Sequence, residues 1–199
     1  MRMFVAIVPP STAVEDLAGF LAPRHEVDSD LRWTDPGQWH LTLAFMADVA
    51  DRHLDELVER LGRAAARRRP MGLRVAGAGA FPHPGAAKVL WAGVEPAPGD
   101  GPEVPRHQVG DLEELRRLAT GVHAAAAKAG AQVDADRFHP HLTLARLRRP
   151  AQVSRWLRVL DGYRGPAWPA TDLALVESHL GEGPHRRPRH EVIQTFALG

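Results

Sequence analysis

The pentapeptide His-Leu-Thr-Leu-Ala is written twice in this chain, as WHLTLAF around His40 and as PHLTLAR around His141. A long repeated helix would call for an array, whereas a short repeat built on a strand, one copy in each half, calls for two equivalent halves meeting at one place. Alternate side chains of a strand face opposite ways. That parity sends Trp39, Leu41, Leu43 and Phe45 to one face, for packing, and His40, Thr42 and Ala44 to the other. In the second copy Leu142 and Leu144 turn inward while His141, Thr143 and Ala145 turn outward, joined by His139 if Pro140 introduces no bulge. Each strand thus offers an imidazole and a hydroxyl about 6.5 to 7 Å apart, two strand rises. The same parity turns Arg146 away from the His141 face.

Around these strands the chain alternates helical and strand-like runs. An opening strand, Phe4 to Val8, is stopped by Pro9-Pro10, and Ser11 or Thr12 can cap a helix carrying Val14, Leu17 and Leu21, with Thr12-x-x-Glu15 as a capping box. Asp35-Pro36-Gly37 marks a turn before the first motif. Leu54, Leu57, Val58 and Leu61 fall at helical spacing; LRVAGAGAF and AKVLWAGV read as strands joined by PHPG. Residues 95–110 read as an irregular linker between halves. A long helix with Leu112, Leu115, Leu118 and Val122 on one side stops at Gly130, and a short one carries Val153, Trp156, Leu157 and Leu160. DLALVESHL and HEVIQTFAL close the chain as strands. Several strands are joined by turns too short for parallel crossovers, so the expected class is α+β: bilobal, with duplicated antiparallel or mixed sheets, outer helices and a central cleft, residues 1–199 forming one domain of two lobes.

Composition narrows the chemistry. The absence of cysteine excludes disulfides, thiolate metal sites and a cysteine nucleophile. A formal net charge of +1 supplies no general pull toward nucleic acid. Of the 25 basic residues only Lys88 and Lys128 are lysine, and the run Arg67, Arg68, Arg69 reads as the cationic end of a helix. No run approaches the ~20 apolar residues of a membrane span, and MRMFVAIVPP reads as a strand rather than an export signal, so a cytoplasmic, monomeric protein is expected.

Two facing imidazoles suit acid–base catalysis, one taking a proton while the other gives one. Threonine hydroxyls can donate to the oxygens of an anion held between them. A phosphodiester fits, since it needs a base for the attacking oxygen, an acid for the leaving oxygen and donors for the rest. The repeat does not say which histidine plays which part.

With FHPHLTLAR as its second copy, the paired motif resembles that of the two-histidine (2H) phosphoesterase superfamily, and within it the RNA 2′,3′-cyclic phosphodiesterases, formerly described as 2′-5′ RNA ligases. MRMFVAIVPP, Arg32-Trp33, GAFPHPGAAKVLWAGV, LVESHL and HEVIQTFAL resemble the family's flanking segments. The resemblance implies a bilobal fold with both motifs in a central cleft. It also implies metal-independent, cofactor-free hydrolysis of a 2′,3′-cyclic phosphate end of RNA, or of a small cyclic nucleotide, to a 2′-phosphomonoester. It makes His40 the proton donor and His141 the proton acceptor. Lys88 stands where the family often has arginine, His190 where tyrosine is common, and the 95–110 segment is long.

Outside the motifs, Phe81 and Trp33 can stack on a base, and Arg32, Lys88, Arg137 and, below Lys88, Arg146 are candidate phosphate contacts, with His139 beside them. Trp91, opposite Lys88 on its strand, is assigned to the core. A metal reading of His139-Pro140-His141 wants converging carboxylates, and Asp134 and Asp136 precede a proline-containing turn; no metal site is expected. GAGAF lacks the Lys-Ser/Thr and the helix of a phosphate loop. The alternative to an enzyme is a module that holds a nucleotide or RNA end without turnover.

Overall fold

The protein is described by a computed structural model covering residues 1–27, 30–97, 111–134, 137–183 and 188–199. Its strands form two antiparallel sheets. The first is ordered β3-β1-β8-β9, from β1 (Met3–Ile7), β3 (Leu41–Met46), β8 (Asp172–His179) and β9 (Arg189–Ala197). The second is ordered β2-β6-β5-β4-β7, from β2 (Leu31–Trp33), β4 (Met71–Phe81), β5 (Ala87–Pro96), β6 (His141–Ala151) and β7 (Trp168–Ala170). The helices are α1 (Ser11–Leu21), α2 (Leu54–Ala65), α3 (Asp111–Lys128) and α4 (Ser154–Asp161). This is the α+β arrangement that the short turns imply. The 95–110 linker keeps Glu95 and Pro96 in β5 and buries Ala97; its remainder, 98–110, lies outside the described residues.

The repeat is thereby divided between sheets: His40 immediately precedes β3 and His141 opens β6. One continuous apolar core holds the two sheets, drawing Met3, Val5, Ile7, Leu41 and Met46 from one and Leu73, Leu90, Leu142 and Leu144 from the other. β2, only a few residues ahead of His40, pairs with β6 as Leu31↔Leu147, Arg32↔Arg146 and Trp33↔Ala145. The segment that delivers the first motif is therefore stitched to the sheet carrying the second.

Neither copy keeps simple alternation. Along β1, Val5 faces Ala44 and the next residue, Ala6, faces Thr42, so Leu43 is an extra residue. Along β5, Leu90 faces Ala145 and Trp91 faces Thr143, so Leu144 is extra. A bulge of this kind places two residues against one and reverses the parity beyond it. Leu43 with Ala44, and Leu144 with Ala145, are consequently both buried. Phe45 and Arg146, which strict alternation assigns inward and away, instead turn to the face of the histidines. These two expectations are corrected, as is that of Ala44 and Ala145 on the histidine face, since both join the core.

Smaller departures have local causes. Pro10, not Ser11 or Thr12, is the N-cap of α1, and no side chain caps it, because the Pro10 carbonyl already accepts from the Ala13 and Val14 N–H groups at 3.1 Å and draws Ser11 into the first turn. Leu112 lies at the edge of α3 and is exposed, while Leu115, Leu118, Ala119 and Val122 are buried. Gly130 does end α3. Its φ of +83° lets Gly130 N–H reach the Ala127 carbonyl and Ala131 N–H the Ala126 carbonyl. The arginine run lies just past α2, and Arg68 and Arg69 pair with Glu114 and the buried Asp111 in the first turn of α3.

Candidate active site

A cavity of about 1100 Å³ opens between the sheets, lined by His40 and Thr42 on one side and His141 and Thr143 on the other. The two imidazoles are held in the same way. His40 Nδ1 lies 2.7 Å from the Gln38 carbonyl and His141 Nδ1 lies 2.6 Å from the His139 carbonyl, in each case two residues back. A carbonyl only accepts, so both Nδ1 atoms carry the hydrogen, and Nε2 of each neutral ring is left with its lone pair free.

Each ring also has an aromatic setting. Phe4 of β1 is stacked on His40, with centroids 4.4 Å apart and planes 19° apart. His190 of β9 stands edge-on to both, 5.0 Å from Phe4 and 5.5 Å from His40. Gln38 Nε2 donates to the Pro188 carbonyl at 2.6 Å, pinning the start of β9 to the turn that presents His40. On the other side, Phe81, Trp91 and His139 surround His141 at 5.1, 5.9 and 6.2 Å. Trp91 is thus not a core residue. Because Trp91 faces Thr143 and Gly93 faces His141, the odd-numbered residues of β5 share the cleft side. Gly79 makes room for the indole: a Cβ there would lie 2.0 Å from the ring. Of the two glycines of GAGAF, Gly79 thus has a packing reason, while Gly77 has a φ of +66°.

Burial sets the titration of the pair. It pushes His40 down to about 4, against the raising effect of the Gln38 carbonyl and with small like-charge contributions from His190, His141 and Arg146. Burial also lowers His141, opposed by the His139 carbonyl, and lowers His190. Lowered in this way, both imidazoles are neutral near pH 7. The remaining wall is cationic, with Arg2, Arg32, Arg137 and Arg146, and its one acid among the described residues is Asp134. An anion bound there would favour the imidazolium forms.

Of the other candidates, Arg32 and Trp33 line the cavity, with Trp33 braced against His25 and Trp156 at 4.4 and 5.0 Å. Phe81 touches His139 and His141 by its edge, behind the wall. His139 lines the cavity. Lys88 does not: it is exposed near the start of β5, where the register with β6 is irregular between Ala87 and Val89, whereas Arg146 does line it. Arg2, Phe4, Phe45 and Ser178 went unnoticed in the sequence. Among the described residues no group of three or more His, Asp or Glu is disposed to hold a metal, and Asp136 lies outside them. No described helix is long and apolar enough to cross a membrane.

Fold and cleft define a two-sheet α+β protein with a doubled His-x-Thr site. The chain belongs to the 2′-5′ RNA ligase superfamily, whose family model matches residues 9–182. It is 32% identical over 149 residues to an RNA 2′,3′-cyclic phosphodiesterase of Archaeoglobus fulgidus, covering 75% of this chain and 74% of that one. It is 29% identical over 202 residues to the protein of the same name from Thermus thermophilus, covering 100% and 90%. A crystal structure of a Thermus thermophilus protein superposes with a TM-score of 0.71 at 27% identity, covering 100% of this chain and 98% of that one. The fold is likewise that of E. coli LigT complexed with 3′-AMP, with a TM-score of 0.71 at 24% identity and coverage of 99% and 97%.

Proposed function

We propose that this chain hydrolyses 2′,3′-cyclic phosphate ends of RNA, or small 2′,3′-cyclic nucleotides, to 2′-phosphomonoesters, working as one unit of two lobes. The observation that carries the reading is the matched pair of imidazoles in one arginine-lined cleft, each with Nδ1 tied back and Nε2 free. Relatives named RNA 2′,3′-cyclic phosphodiesterase support the reaction class.

In this reading the phosphate sits between the histidines, with Thr42, Thr143 and Arg146 on its non-bridging oxygens. His141 Nε2 accepts a proton from water as the water oxygen bonds to phosphorus. The P–O3′ bond breaks, and protonated His40 Nε2 gives its proton to the departing 3′-oxygen. One water is consumed and the phosphate remains on O2′. Attack and departure lie on opposite sides of phosphorus, which is what facing histidines serve. His40 needs its proton at the start, and the bound anion supplies the counter-charge that offsets its burial. A ribose 5′-hydroxyl in place of water would run the same steps as 2′-5′ ligation. No metal enters any step.

The test is incubation with 2′,3′-cyclic AMP, with and without chelator, followed by product identification. Adenosine 2′-monophosphate at equal rates in both arms is expected. A 3′-phosphate product would overturn the leaving-group assignment, loss of activity on chelation the metal-free mechanism, and binding without turnover would make the chain a nucleotide-binding module.

A further inference from the structure

The bulge that redirects Phe45 also places it where the imidazoles and arginines leave something unexplained. On the cleft side of the four-stranded sheet, Phe45 joins Phe4, Ala6, Ala174 and Val176 in a small apolar cluster separate from the main core. The Arg2 guanidinium lies over the Phe45 ring, 4.4 Å from its centroid. A guanidinium stacked on a phenyl ring presents a second flat face, and such faces accept nucleobases whatever their identity. Counting the bulge as one step, Phe45 stands two strand rises, about 7 Å, beyond Thr42, which is the reach of a ribose from a phosphate held at Thr42.

Asp134 is the anomaly. It is the one acid among the described residues of a cavity walled by four arginines, where it opposes phosphate binding. It makes no ion pair among the described residues, yet its position is fixed: its N–H donates to the Phe45 carbonyl at 3.1 Å, and its own carbonyl lies 2.9 Å from His123 Nε2. These two backbone contacts seat Asp134 beside Phe45 among the residues that line the cavity, with the residue itself exposed. A carboxylate only accepts hydrogen bonds, and two N–H donors side by side satisfy both of its oxygens at once. Guanine offers N1–H and the N2 amino group side by side on its Watson–Crick edge.

We propose that Arg2, Phe45 and Asp134 form a nucleobase subsite, with the base stacked on the Arg2 guanidinium and its edge read by the Asp134 carboxylate, so that a terminal guanosine 2′,3′-cyclic phosphate is the favoured substrate end. The subsite rests on the cleft binding a nucleotide phosphate as proposed above.

The test compares the 2′,3′-cyclic phosphates of guanosine, inosine (which lacks the N2 amino group) and 1-O-methylribose, which has no base. The wild-type protein is expected to prefer guanosine over inosine by about tenfold in kcat/KM, the discrimination of one well-placed bidentate pair. Asp134→Asn should bring that ratio toward one. Arg2→Met and Phe45→Leu should each raise KM for the guanosine substrate by about fivefold or more, and by clearly less for the baseless one. Equal kcat/KM on all three substrates, or equal losses in Arg2→Met with and without a base, would overturn the proposal. Calorimetric titration with guanosine 2′-monophosphate and with inosine 2′-monophosphate reads the subsite without turnover. A wild-type protein that binds the guanosine compound more tightly, yet hydrolyses no cyclic phosphate, would keep the subsite and sink the hydrolase reading alone.

Discussion

Phe4 lies face to face with His40, and the ring behind this histidine is carbon rather than a carboxylate. Among the described residues no carboxylate is paired with His40. Its orientation comes from the Gln38 carbonyl and its charge state from burial and from whatever anion enters the cleft.

Loss of either imidazole should be severe. His40→Ala and His141→Ala are each expected to lower the rate on 2′,3′-cyclic AMP by the ~10²–10⁴-fold typical of a missing general acid or base. Thr42→Ala and Thr143→Ala should cost less, since each removes one donor. With an activated leaving group the His40→Ala loss should shrink while the His141→Ala loss persists; the opposite pattern would exchange the roles.

Ligand binding should take up protons. Burial keeps His40 and His141 below the ordinary histidine value, and a bound phosphate anion should raise both. Calorimetry of 2′-AMP binding at pH 6, in buffers of different ionisation heat, should show net proton uptake that His40→Gln reduces. Zero uptake in the wild type would refute the charge-state argument.

The same depression carries a stability consequence. His40 binds its proton less readily folded, at about 4, than unfolded, near 6.5. Between those values the unfolded chain holds more protons, so stability rises with pH and is lost as pH falls from about 6.5 toward 4. His141 and His190 shift in the same direction and add to it. For His40 alone the full span is on the order of 3 kcal/mol, at about 1.36 kcal/mol per pKa unit. Urea unfolding at pH 7 and pH 5 should show the wild type losing more stability than His40→Gln.

His190 should act on His40 by charge and contact. Its imidazolium, 5.5 Å away, disfavours a proton on His40. In His190→Gln the His40 titration followed by NMR should move upward, and the limb of the pH–rate profile set by His40 should follow. An unmoved His40 titration would leave His190 a packing residue only.

Gly79→Ala should damage the site from behind. Its Cβ would lie 2.0 Å from the Trp91 indole, which borders His141 and His139. Overpacking of this kind costs about 1–3 kcal/mol, and the displaced indole should also lower kcat. A thermally unchanged, fully active Gly79→Ala would contradict the close packing described.

Much of this was legible in the chain. The repeated pentapeptide marked the histidines and threonines, and short turns marked antiparallel sheets. The side-chain directions beyond Thr42 and Thr143 were not legible, because a bulge is a property of the pairing: Leu43 is extra only relative to Val5 and Ala6, and Leu144 only relative to Leu90 and Trp91. Pairing likewise decides that Trp91 takes the cleft side opposite Thr143, while Lys88 is left exposed at the irregular register between Ala87 and Val89. Phe4 was hidden in FVAIV, where every residue is apolar and parity cannot separate the cleft side from the core side. Arg2 and Asp134 enter the cleft through tertiary contacts with Phe45 that no local pattern encodes.

The duplicated bulge gives the cleft a direction. Through five identical residues both halves build the same scaffold, and the sixth is the first at which they differ, Phe45 in one and Arg146 in the other. A near-symmetric frame thereby carries a phenyl ring at one sixth position and a guanidinium at the other, so its two ends are chemically unlike although its scaffold is repeated. The asymmetry is written in a single letter per half, just past the point where the strand changes face.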